Sequence, residues 1–106
     1  MKLKKPIAID GKEIDELKIE KEGFTASALI KAEKEFLVTG GVFPAGAMED
    51  SRAYMLCVAA KILGYKTADL EDKLSGEDFI TLTNVVKGFY GGMGGLNSLI
   101  QALLEK

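Results

Sequence analysis

Apolar and polar residues alternate at the start of the chain. Leu3, Ile7 and Ile9 precede Asp10-Gly11-Lys12, and Leu17 and Ile19 follow it. Asp-Gly between two β-prone runs is a strong hairpin signal, because glycine takes the positive φ of a tight turn without steric cost. A three-residue loop places Leu3, Ile7, Ile9, Leu17 and Ile19 on one face, with Lys4, Lys18 and Glu20 on the other. Pro6 has no N–H to give to a ladder, so the first strand is expected to be an edge with a free side at that position, open to another chain.

The period then changes from two to that of a helix. Thr25 is a suitable N-cap for a helix through Ala26, Ala28, Leu29, Ala32, Phe36 and Leu37, stopped by Gly40-Gly41. Positions 29, 32, 36 and 37 share one side, and Lys31, Lys34 and Glu35 are expected to face out. Val42-Phe43-Pro44-Ala45-Gly46-Ala47 is a connection, since Pro and Gly fall close together. Its apolar side chains either fold back on their own core or, with Phe43 and Met48, line a groove for a partner peptide. Glu49, Asp50 and Ser51 lead into a helix ending at Leu63-Gly64, with acids expected in its first turn. Nothing is charged between Arg52 and Lys61, which predicts a central helix covered on several sides.

Thr67 to Leu74 reads as a short helix capped by Thr67. Ser75 caps the next, with Asp78 three residues on as a capping acid and Phe79, Leu82, Val85, Val86, Phe89 and Tyr90 on its apolar face. Gly91-Gly92-Met93-Gly94-Gly95 predicts a hinge. Beyond it, Leu96, Leu99, Ile100, Leu103 and Leu104 repeat as the stripe of an amphipathic helix that is marginal alone. That helix either docks on its own domain or packs on a second copy or on a client. The expected fold is mainly α with a short N-terminal β-hairpin, an α+β small helical bundle. Residues 1–90 make the hairpin and helical domain, and residues 91–106 the glycine hinge and C-terminal amphipathic helix.

Composition narrows the function. The 106 residues suit one domain, and 47% hydrophobic with 28% charged residues argues against disorder throughout. Against 14 Lys and Arg stand 16 Asp and Glu, a net charge of -2 that gives nucleic acid little to bind. The basic start, Lys2 to Lys5, has no apolar stretch behind it, and no run approaches a bilayer span, so neither a secretory signal nor a membrane partner is expected. One cysteine, Cys57, lies in an apolar run and no histidine exists, which argues against a zinc site, a histidine general base and a serine hydrolase. The glycine run lacks the Lys-Ser/Thr of a phosphate loop and follows a helix rather than a strand. Asp69 and Asp72 lack the ligand spacing of a calcium loop. No catalytic residue, metal or cofactor is expected.

Several blocks carry a resemblance. Leu3-Lys4-Lys5-Pro6-Ile7, Ile9-Asp10-Gly11-Lys12, Leu17-Lys18-Ile19, the helix end Ala59-Ala60-Lys61-Ile62-Leu63-Gly64, Leu70, and Asp78 to Phe89 with Val85-Val86-Lys87-Gly88-Phe89 occur in this order. Over residues 3–90 the chain resembles the tail assembly chaperones of Mu-like, long-tailed bacteriophages and prophages, in which a short strand pair precedes a helical body. The resemblance implies a protein of the host bacterial cytoplasm that binds the tape measure protein and keeps its helices soluble. It would give way as subunits of the major tail tube protein polymerise, and be absent from the mature virion. It also implies a homo-oligomer with an exposed apolar surface, for which the expected partner-binding residues are Phe43, Met48, Phe89, Tyr90, Leu96, Leu99, Ile100 and Leu103. The stretch after Phe89 departs from the short members of that family. A second reading is a structural tail completion subunit or a small helical oligomeric regulator.

Overall fold

The computed structural model describes residues 1–42 and 51–94. A two-stranded antiparallel hairpin, β1 (Lys2–Ile9) and β2 (Lys12–Glu16), is followed by a 3-10 turn at Lys21–Gly23. Four helices then follow among the described residues: α1 (Ala26–Val38), α2 (Arg52–Leu63), α3 (Thr67–Lys73) and α4 (Gly76–Gly94). The protein is thus mostly helical with an N-terminal hairpin, as its periodicities predict.

The hairpin turns on two residues, not three. Asp10 and Gly11 both take positive φ, 52° and 78°, and Ile9 pairs with Lys12, so Lys12 already belongs to β2. Two successive left-handed residues match the twist of the strands, and Asp-Gly tolerates them. Leu3, Ile7, Ile9 and Leu17 are buried as expected, and Ile19 is half-buried. The shorter turn also brings Ile14 opposite Ile7, where it packs against the core.

The shorter turn leaves slack that β1 absorbs further along. Lys2 pairs with Glu16 and Ile7 with Ile14, so the register shifts between Lys2 and Ile7, around Pro6. The backbone N–H groups of Lys4 and Lys5 leave the ladder and donate to the two oxygens of Asp78, each at 3.0 Å. Lys4 also forms an exposed ion pair with Glu77, and Lys73 Nζ donates to the Ala8 carbonyl at 2.6 Å. The outer side of β1, expected to be free, is therefore held by α3 and α4 at these points.

Capping fixes the helix ends. The Thr25 hydroxyl accepts from Ala28 N–H at 3.1 Å, and α1 ends in a Schellman arrangement with Gly40 at φ +91° and the Gly41 N–H on the Phe36 carbonyl. Ala28, Ala32 and Phe36 are buried. Leu37 is not: it is 49% exposed, while Glu35, expected outside, is half-buried beside α2. Ser51 caps α2, so Glu49 and Asp50 precede the helix and no acid lies in its first turn. Thr67 does not cap α3. Lys66 occupies that position without a side-chain bond, and Thr67 is the first helical residue.

Ser75 Oγ does accept from Asp78 N–H at 3.2 Å, but the Asp78 carboxylate turns to β1 instead of back to the cap. Helix α4 runs on through Gly94, so the backbone of Gly91 to Gly94 is helical where the glycines predict a hinge. Residues 95–106 lie outside the described residues. Tyr54 to Ala60 of α2 are all buried, and α1, α3 and α4 pack around them with the hairpin completing the core.

Asp78 is the one buried carboxylate of the described core, 2% exposed. The Lys4 amide, and behind it the Lys5 amide and Ser75 hydroxyl, hold its pKa below the ordinary 3.8 although burial opposes them. A depressed carboxylate stabilises the fold above its unfolded pKa and stops doing so as pH falls through the lower folded value. Asp78→Asn is therefore expected to cost about 2 kcal/mol in urea unfolding at neutral pH. The gap to wild type should close below the ordinary value of 3.8. A gap that persists unchanged in strong acid contradicts this account.

Candidate partner-binding groove

A helix with no polar face needs cover all round. At about 100° per residue, the positions of α2 sort into sides. Tyr54 and Lys61 face α1: the Tyr54 ring lies 5.9 Å from that of Phe36, and Lys61 pairs with Glu35. Arg52 reaches α4, its guanidinium donating to Thr83 Oγ1 at 2.7 Å and Asn84 Oδ1 at 3.0 Å. The Leu56 side faces α3. Between α1 and α3 the remaining stripe, Ala53, Cys57 and Gly64, forms the floor of an open groove of about 770 Å³.

The walls come from helix ends. Phe36, Thr39, Gly40 and Gly41 close one side, and Tyr65, Thr67, Ala68 and Glu71 the other. Gly41 lies so close to Phe36 that a Cβ there would stand 2.5 Å from the ring, so only glycine lets the chain fold flat against this wall. The floor is made of small residues, which allows a partner backbone to approach closely. Val38 and Val42, beside the same wall in sequence, are 85% and 83% exposed.

The lining is mixed, with Thr39, Lys66 and Glu71 on the walls and a Glu35–Lys61 pair beside the floor. Lys61 Nζ donates to Glu35 Oε2 at 2.6 Å. Burial works to raise the Glu35 pKa, but the Lys61 bond and charge, with the nearby Thr67 hydroxyl, outweigh it and lower it. Thr67 Oγ1 is itself buried and lies outside hydrogen-bond geometry, close enough to Glu35 and Cys57 to act on both as a dipole. Burial, and after it the Glu35 carboxylate, push the Cys57 thiol up to about 11, so it is protonated at neutral pH. This arrangement can orient a polar group of a partner. It supplies no activated nucleophile.

Among the expected partner-binding residues, Phe89 and Tyr90 are half-buried. Phe89 stacks at 5.4 Å on Phe24 and Tyr90 meets Tyr54 edge-on at 5.9 Å, and neither lines the groove. Phe43, Met48, Leu96, Leu99, Ile100 and Leu103 lie outside the described residues. The segment holding Phe43 and Met48 does leave from one groove wall at Gly41 and returns at Ala53 on its floor. Sequence reasoning missed Ala53, Gly64 and Ala68. For Ala53 and Gly64 the signal was their spacing with Cys57 on one side of α2 and its C-cap; Ala68 carried none.

Among the described residues no cluster of three His, Cys, Asp or Glu side chains could hold a metal, and no helix is long and apolar enough to cross a membrane. No protein-family model, curated protein or solved structure matches the chain.

Cys57 is 5% exposed, which makes it a reporter of the groove floor. With its thiolate fraction cut by the raised pKa, labelling by a thiol reagent in mild base should run roughly a hundredfold or more slower in the native protein than in urea. Equal rates in both states would show that the floor is not packed as described.

Proposed function

We propose that this protein is a phage tail assembly chaperone that binds helical segments of the tape measure protein and keeps them soluble during tail assembly. The observation that carries the reading is the open groove of about 770 Å³ between the end of α1 and the start of α3, with Ala53 and Cys57 of α2 at its floor. Its small-residue floor, and walls that carry Phe36 and Tyr65 beside the polar Glu35, Lys66 and Glu71, suit an amphipathic helix laid in a groove. The order of blocks from Leu3 to Phe89, with the resemblance it carries, supplies the identity of the client.

In this reading the protein acts by shielding. A client helix buries its apolar stripe on α2 and presents its polar side to water, with Lys61 and Glu35 available to a polar side chain at the seam. Burial of this kind contributes about 25 cal/mol per Å² of apolar surface before the cost of association, so a long client needs several copies of so small a groove. The chaperone works in the host cytoplasm and leaves as the tail tube protein polymerises on the client.

Co-expression with the tape measure protein of the same phage tests this. The client is expected to be soluble and to elute with many copies of the chain, and the chain to be absent from purified particles. Ala68→Arg places a long charged side chain on the groove wall at an exposed position and should return the client to the insoluble fraction while leaving helix content unchanged. A client that stays bound to this variant, or a chain retained in finished particles, contradicts the proposal.

A further inference from the structure

The two walls of the groove differ in charge. On the α1 wall Glu35 is engaged by Lys61, and Phe36, Thr39, Gly40 and Gly41 carry none. On the α3 wall Lys66 and Glu71 are both exposed, and neither forms an ion pair with a described residue. Their order along the groove is fixed by the fold. Lys66 follows the Gly64 C-cap of α2 by two residues, whereas Glu71 also borders a smaller cavity with Leu56, in the first half of α2. Helix α3 thus runs back along α2, with the positive charge at the C-terminal end of the floor and the negative one about 7 Å nearer the other end.

A helix laid on the α2 floor shows one flank to each wall, and reversing its direction exchanges the flanks. Viewed from the N-terminus, successive residues of a right-handed helix advance clockwise by about 100°. With Cys57 uppermost, Tyr54 and Lys61 of α2 then stand to the right, toward α1, and Leu56 to the left, toward α3. In a client running parallel to α2 with its apolar stripe on the floor, the residue after each stripe position faces the α3 wall. A basic residue on that flank comes over Glu71, and an acidic one four residues later, about 6 Å on, comes over Lys66. The same helix turned around shows that flank to the α1 wall, where no free charge meets it. An antiparallel client meets the α3 wall with its other flank and needs the acid before the base. Resting on the groove reading above, we infer that Lys66 and Glu71 read the charge order and direction of the client. The groove thereby selects amphipathic helices that carry opposite charges one turn apart on the flank facing α3.

Two amphipathic peptides of about 20 residues with blocked ends test the selection. They share a leucine stripe and differ only in the exchange of one lysine and one glutamate, four residues apart on the flank that follows the stripe. Fluorescence anisotropy with the full-length protein at low salt is expected to show the lysine-first peptide binding about fivefold or more tighter, because the exchange turns two exposed attractions into two repulsions. The difference should shrink in about 1 M salt. Lys66→Glu combined with Glu71→Lys should invert the preference, a result that no difference in helicity between the peptides can produce. Ala68→Arg, on the same wall, should weaken both peptides. Equal binding of the two peptides, or a preference that the double variant leaves unchanged, overturns the inference and leaves the groove itself standing. Binding of neither peptide, or binding that Ala68→Arg does not weaken, contradicts the groove reading and the inference with it.

Discussion

Seven consecutive buried residues, Tyr54 to Ala60, leave α2 no face toward water, and the other elements are arranged around that demand. Helix α1 lies along one side through Phe36 and the Glu35–Lys61 pair. Helix α4 takes another through Arg52 and Tyr90, and α3 a third through Leu70. Between the end of α1 and the start of α3 the described elements leave a groove of about 770 Å³. The groove is thus not an addition to the fold. It is what remains when a helix that is apolar all round is the centre of a small bundle.

The hairpin depends on a second, electrostatic constraint. A two-residue turn and a proline in β1 leave the amides of Lys4 and Lys5 outside the ladder, and unpaired amides near a core are costly. Asp78 satisfies both from the first turn of α4, where a negative charge also suits the helix dipole. The same side chain thereby orients α4 on the sheet and removes the open side of β1 as a template for other strands. With that edge held, exposed apolar surface of the described residues gathers instead at the end of α1, at Leu37, Val38 and Val42, with Ile30 and Ile80 apart from it.

Much of this was legible in the sequence. The hairpin, the Thr25 and Ser75 caps and the central α2 follow from local turn and capping chemistry and from one charge-free run. What escaped was set by tertiary contacts. The turn length could not be separated from a compensating bulge, because both put Leu3, Ile7, Ile9 and Leu17 on one face. Asp78 reads as a capping acid until β1 is in place to compete for it. Glu35 carries the pattern of an outward residue, and only Lys61 on α2 turns it inward. Thr67 lost the cap to Lys66 because its side chain sits against Glu35 and Cys57. The glycines after Tyr90 predict a break on propensity alone, and α4 carries on through Gly94. Among the partner-binding residues, Phe89 and Tyr90 are taken up by Phe24 and Tyr54, while the groove itself is marked only by small residues, which carry no distinctive chemistry.

Hydrogen–deuterium exchange of the free chain against its complex with the tape measure protein tests the groove most directly. The account predicts that binding slows exchange in the segments that form the walls, residues 35–41 and 64–71, and leaves β2 and residues 76–90 of α4 as they were. Protection gained on β2 or along α4, with the walls unchanged, would place the client elsewhere and contradict it.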